Sequence, residues 1–253
     1  MKEPKPIYMP SGSPLKLAVL VSGSGSNMLS IHREQNRLEE AGEKDYGRIE
    51  CVFTNVPNCL GAKRAEELGI PTLALSSKKY FEVIGSDPND ENLRNSYDAA
   101  VFSLIESVTV PDLIVLAGYR RRMGERIHSR YKNRIINLYP GDTTKKYLIK
   151  GVDASVQAIG AGESSIKTTV FFSRTETRFG PALIQSKTVS LKGFSKDNVE
   201  AMNEKIRAEG EWAVYPYAVN ELIAKGRVAV DDSGMVYIDG APLGGSGLQM
   251  DEL

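Results

Sequence analysis

Charge of one sign is what this chain most lacks: 32 Lys and Arg against 32 Asp and Glu leave a formal net charge of +0 over 253 residues. That balance excludes the broad basic surface that nucleic acid or an anionic membrane demands. Cysteine is scarce as well. Cys51 and Cys59 are too few for a disulfide framework, and their spacing matches no zinc or redox motif, so reduced structural thiols in a cytoplasm are expected. No apolar run approaches the roughly 20 residues that span a bilayer, and the first ten residues carry no apolar stretch of the signal-peptide kind. The closing Met250-Asp251-Glu252-Leu253 is similar to an ER-retention tail, a likeness without weight when no signal peptide is seen. Histidine is limited to His32 and His128. Both fall in predicted helices among charged neighbours and read as exposed or capping residues. No His, Cys and carboxylate cluster has ligand spacing, so no metal is expected.

What the chain does have is apolar mass. At 41% hydrophobic residues it can bury a substantial core, which excludes disorder over most of its length. Apolar runs at Leu17 to Val21, Cys51 to Thr54, Thr72 to Leu75 and Leu113 to Ala117 read as buried strands. Helical patterns at Asn27 to Asn36, Gly61 to Leu68 and Asn92 to Val108 lie between them, and the alternation predicts βαβ units around a parallel sheet. In such sheets ligands sit outside the carboxyl ends of the strands, so the Ser22 to Asn27 loop and the Gly118 to Met123 loop are expected to face one cleft. Beyond Pro140 the pattern changes. Lys167 to Ser173 and Leu183 to Leu191 are β-rich, Ser195 to Lys225 reads as one long helix interrupted by Pro216, and a hairpin joins Arg227 to Val230 with Met235 to Ile238. Residues 1–14 read as a loose arm and residues 244–253 as a flexible tail.

Two stretches carry chemistry, Ser22 to Asn27 and Asn137-Leu138-Tyr139-Pro140. Ser22-Gly23-Ser24-Gly25-Ser26-Asn27 follows an apolar strand and opens a helix, where exposed backbone N–H groups suit a phosphate. It is not a Walker loop, because no Gly-Lys-Ser/Thr follows, and it lacks dinucleotide-fingerprint spacing. A tight Gly/Ser turn that merely caps the helix is the alternative. Arg120-Arg121-Arg122 is either a solvated loop or a grip for an anionic tail or carboxylate. Trp212 reads as core packing between the long helix and the sheet.

The motifs together resemble the glycinamide ribonucleotide formyltransferase family. Val19 to Asn27 is similar to the family's opening strand and Ser-Gly-x-Gly-Ser-Asn turn, which implies that Gly23, Ser24, Gly25, Ser26 and Asn27 hold a substrate phosphate. Thr54-Asn55, Gly69-Ile70-Pro71 and Arg94-Asn95-Ser96-Tyr97-Asp98 follow in family order. Val115-Leu116-Ala117-Gly118-Tyr119-Arg120-Arg121 then resembles a Val-Leu-Ala-Gly-Phe-Met-Arg segment whose backbone contacts folate. This places Tyr119, Arg120, Arg121, Arg122 and Met123, with Arg94, at the substrate and folate site. Asn137-Leu138-Tyr139-Pro140 keeps the position of Asn-Ile-His-Pro, and Gly180-Pro181 and Glu211 to Pro216 complete the series. The likeness covers most of residues 16–243. It implies an α/β, Rossmann-like formyltransferase fold: a mostly parallel twisted sheet flanked by helices, with a C-terminal β-rich and helical portion. Residues 15–243 would form one domain, with 15–118 as the phosphate-binding half and 119–243 as the folate and active-site half.

Activity is a separate matter, because fold does not carry chemistry. In the family an Asn stabilises the oxyanion, a His moves protons and an Asp orients the His and a water. Asn137 is kept. Tyr139 stands at the His position and Arg178 at the Asp position. Arg178 is no base, and a tyrosine with a reference pKa of about 10 stays neutral near pH 7. Phe171 replaces another family His, Lys167 a glycine, and Asp142-Thr143-Thr144 a Leu-Leu-Pro. Three readings stay open. One is formyl transfer from 10-formyltetrahydrofolate or a related reduced folate to a phosphorylated amine, with a substituted relay drawn from Tyr139, Arg178, Asp142 or Glu176. Another is a non-catalytic binder or sensor of a phosphorylated metabolite or folate. The third is transfer to another acceptor, such as a nucleotide-linked amino sugar. The expected partner is a small phosphorylated metabolite, with no nucleic acid and no membrane, in a monomer or homodimer.

Overall fold

A computed structural model of the chain describes residues 3–85, 90–149, 151–175 and 177–253. The chain divides into two compact units, one of Pro10–Asn137 with Ser173–Arg178, the other of Met1–Met9, Leu138–Phe172 and Phe179–Leu253. The boundary follows Asn137, whereas the sequence reading divides the chain after Gly118.

In the first unit the expected βαβ pattern is present. The strands Leu113–Leu116, Leu15–Val21, Gly47–Thr54 and Thr72–Ala74 pair in that order, all parallel, and Ile135 to Asn137 join the Leu113–Leu116 edge in parallel register. Leu17, Ala18, Val19, Leu20 and Val21 are all fully buried. Burial on both faces is why this strand is a continuous apolar run rather than an alternating one. One core cluster packs Ala18 and Leu20 with Cys51, Phe53, Tyr97, Val101, Phe102, Ile105, Ile114 and Leu116. The helix Ser26–Glu40 buries Met28, Ile31 and Leu38. Helix Glu91–Val108 starts where the Asp90 carboxylate accepts the N–H groups of Asn92 and Leu93, at 2.8 and 3.2 Å, a side-chain cap of the usual kind. Ser77–Ile84 and Glu125–Arg130 are further short helices that the apolar pattern does not announce.

In the second unit Thr169–Phe172 pairs antiparallel with Ala182–Gln185, and Ser165–Ile166 pairs antiparallel with Val189–Ser190. The expected single β-run from Leu183 to Leu191 is thus two strands in two different sheets. The hairpin is present, with Val228–Val230 antiparallel to Val236–Ile238. The long helix also forms, but not as uniform α-helix. Val199–Ile206 and Trp212–Tyr217 are α-helical, while Arg207–Glu211 and Ala218–Ile223 are wider π turns. Pro216 lies inside the run and has no N–H to donate to the carbonyl four residues before it, and in the following π turn the Ala224 N–H reaches five residues back to the Val219 carbonyl at 2.9 Å.

Both termini carry strand pairing. In the arm, Lys5–Pro6 pair antiparallel with Val230 and Ala229. Leu248 and Gln249 pair parallel with Ile184 and Gln185, and the Asp251 carboxylate accepts from Thr188 Oγ1 at 2.7 Å and pairs with Lys167 Nζ at 2.8 Å. An open sheet edge presents unpaired backbone groups, and the tail satisfies them.

Candidate functional site

The glycine/serine loop leaves the carboxyl end of Leu15–Val21 and enters helix Ser26–Glu40 through Gly25, whose φ is 72°. Only glycine adopts that conformation without strain. A Cβ at Gly25 would also meet Gly61 Cα at 2.6 Å, so the start of helix Leu60–Glu67 lies directly against the loop. Three loop carbonyls are engaged by protein donors: Gly23 by the Gly61 N–H at 2.8 Å, Ser24 by Arg64 Nη1 at 2.8 Å and Gly25 by the Leu29 N–H at 3.0 Å. Across a trans peptide the following N–H points away from the carbonyl. The amides of Ser24, Gly25 and Ser26 are therefore aimed away from those donors, the disposition an anion cradle needs.

The two loops are joined by hydrogen bonds. Ser22 Oγ donates to Asn55 Oδ1 at 2.5 Å and accepts the Arg120 N–H at 2.9 Å, and Asn55 Nδ2 donates to Ser77 Oγ at 3.1 Å. Of the residues expected at the folate loop, Tyr119 and Met123 turn their side chains into the core, so a ligand would meet only their backbone. Arg120 and Arg122 are exposed. Arg122 donates to the Thr175 carbonyl. Arg121 lies over the rings of Phe81 and Tyr97, 4.6 and 4.9 Å from the centroids, a pair of cation–π contacts that limits its reach for a ligand. Nearby, Asp98 is buried and takes the Gly124 N–H at 2.5 Å. Burial pushes its carboxyl up to about 6, against the pull of that N–H, Arg121 and Arg94. Cys51 is a fully buried core residue whose thiol burial pushes up to about 12, which makes it inert.

Asn137 sits in the strand Ile135–Tyr139 opposite Leu116. Within the second unit, Tyr139 packs against Phe179 with ring centroids 4.8 Å apart, and Phe179 meets Phe171 edge-on at 5.4 Å. A Cβ on Gly141 would come within 2.7 Å of the Tyr139 ring. Asp142 Oδ1 accepts from the Thr144 N–H at 2.9 Å, Thr144 Oγ1 at 2.7 Å and Gln185 Nε2 at 2.8 Å. Burial raises its pKa, but these bonds outweigh burial and hold the carboxyl below the usual range. Arg178 is exposed within the first unit. Glu176, the other carboxylate considered, lies outside the described residues. Among the described residues no group of three or more His, Cys, Asp or Glu is placed to hold a metal, and no helix is long and apolar enough to cross a membrane.

Several positions escape sequence reasoning. Ser22, Asn55, Ser77 and Arg64 build the loops' support through contacts between distant segments, which no local pattern announces. His128 is not a bare surface residue: Nδ1 lies 2.9 Å from the Gly124 carbonyl and Nε2 lies 3.0 Å from Ser173 Oγ. A carbonyl only accepts, so Nδ1 carries the proton and Nε2 accepts from the serine hydroxyl.

Comparison with known proteins agrees with this arrangement. The formyl transferase family model matches residues 15–219. The phosphoribosylglycinamide formyltransferase of Haemophilus influenzae is 30% identical over 233 residues, covering 92% of this chain and 97% of that protein. The Escherichia coli protein of the same name is 28% identical over 240 residues, covering 94% and 100%. Among solved structures, the phosphoribosylglycinamide formyltransferase of Coxiella burnetii superposes with a TM-score of 0.75 at 27% identity, covering 94% of this chain and 99% of that one. The mixed α/β architecture with its mostly parallel sheet and flanking helices is that of these relatives, and the chain belongs to the formyl transferase family.

Proposed function

We propose that this protein binds a phosphorylated ribosyl amine of the glycinamide ribonucleotide type on the Ser22 to Asn27 loop, and a reduced folate at the Gly118 to Met123 loop, without the family's proton relay. One observation supports the second half: Tyr139, at the position the family resemblance gives to the relay, packs at a tilt against Phe179 in an aromatic cluster with Phe171. A positioned acid–base group supplies about 10²–10⁴ in rate, and formyl transfer to an amine needs that proton traffic. On this reading the chain is a binder or sensor built on a transferase fold.

Altered catalysis is the second reading, and Asp142 favours it. Its carboxylate is ionised, and all three of its hydrogen bonds named above engage one oxygen. Calorimetric titration with glycinamide ribonucleotide and with a reduced folate, followed by a turnover assay, separates the two. Binding of either ligand without turnover supports the first reading. Turnover above background that Asp142→Asn abolishes replaces it with the second, and absence of binding to both ligands rejects both.

A further inference from the structure

The geometry points to Arg64 as a positioning residue of the anion loop: its guanidinium holds the Ser24 carbonyl and thereby sets and strengthens the Gly25 N–H as a phosphate donor. This rests on the reading of the Ser22 to Asn27 loop as the phosphate site. Gly61 and Arg64 stand three residues apart on helix Leu60–Glu67, so they are neighbours on one face. Both grip the loop. Gly61 donates to the Gly23 carbonyl and presses its Cα against Gly25, while Arg64 Nη1 reaches the next carbonyl, Ser24, at 2.8 Å. The Ser24–Gly25 peptide then has its carbonyl fixed by a cation and its N–H turned the opposite way. A carbonyl that accepts from a charged donor polarises its own peptide, so the N–H becomes a better donor to an anion. Among the described residues no carboxylate pairs with Arg64 in an ion pair. Its positive charge thus stays beside the loop unneutralised, which a simple brace would not require.

The test titrates wild type, Arg64→Ala, Arg64→Gln and Arg64→Lys with phosphoribosylglycinamide and with the same compound lacking its phosphate, alongside thermal melts. Arg64→Ala is expected to weaken the phosphorylated ligand about tenfold and leave the dephosphorylated one unchanged, the loss of one charge-assisted contact. Arg64→Lys is expected to restore affinity to within about threefold, since it keeps charge and donor. If Arg64→Ala misfolds, the Gln and Lys variants carry the comparison. Equal weakening of both ligands, or no weakening, would overturn the role of Arg64 while a wild-type preference for the phosphorylated ligand left the loop reading intact. Wild type that bound both ligands alike would overturn the loop reading and this inference with it.

Discussion

The hydroxyl of Ser22 accepts the backbone N–H of Arg120 at 2.9 Å across 98 residues of sequence, and donates its own hydrogen bond to Asn55 Oδ1 at 2.5 Å. One buried serine thus fastens the Gly/Ser loop to the arginine loop. Replacing it by alanine leaves the Arg120 N–H and the Asn55 carbonyl oxygen without that partner. Ser22→Ala is expected to cost about 1–3 kcal/mol, the usual penalty for orphaned buried polar groups, read as a lower urea midpoint at unchanged slope.

Gly25 is under a double constraint, a φ of 72° and a neighbouring Gly61 Cα that a Cβ would meet at 2.6 Å. Gly25→Ala is expected to destabilise by upwards of about 1 kcal/mol from backbone strain alone, and to abolish discrimination between phosphorylated and dephosphorylated ligand. Thermal melts read the first effect and calorimetry the second. Unimpaired phosphate discrimination in a folded variant would sink the cradle reading.

Asp98 gives a pH dependence of definite sign. Its folded pKa, about 6, lies above the ordinary value of 3.8, so between those values the folded state holds more protons than the unfolded one. Stability therefore falls as pH rises from about 4 to 6 on account of this group. Asp98→Asn removes the titration and can still accept the Gly124 N–H. The stability of the variant, followed by denaturant titration at several pH values, is expected to slope less steeply downward across that window than that of the wild type.

Much of this was legible in the sequence, and the reasons are local. Leu17 to Val21 announces a doubly buried strand, and the glycines and serines after it announce a turn that needs positive φ. Residues whose roles come from distant partners stayed hidden. Ser22 looks like one more turn serine until Asn55 and Arg120 are folded around it, and Arg64 looks like an ordinary helix-surface arginine. The tail's partners are hidden for the same reason: Asp251 contacts Thr188 and Lys167, 63 and 84 residues away in sequence. The π turns near Pro216 are visible only in that a proline must break the ladder, not in how the break is absorbed.

The tail's contribution can be measured directly. Deleting residues 247–253 uncovers the edge of Ala182–Gln185 and leaves Lys167 Nζ without Asp251 and Gln249. The truncated chain is expected to melt at a lower temperature and to aggregate more readily on heating, since an uncovered strand edge templates pairing between chains. An unchanged melting temperature would mean that the tail merely lies on the edge.

The aromatic cluster at Tyr139 makes the sharpest functional prediction. If the chain binds both ligands as proposed and lacks only the relay, restoring the family's residues should confer turnover. Tyr139→His alone exchanges a phenol packed on Phe179 for an imidazole with no family carboxylate to orient it, so it is expected to add little. Combined with Arg178→Asp, which supplies a carboxylate where the family resemblance implies one, formyl transfer to glycinamide ribonucleotide is expected to rise about 10²-fold or more over wild type, the lower end of what an oriented acid–base pair supplies. The excess of the double variant over the product of the two singles is the quantity that matters, because groups that work as a unit are not additive. A double variant that bound both ligands as wild type does and still turned over no faster would locate the impairment elsewhere, in the wall built by Phe171, Phe179 and the Asp142 to Thr144 segment.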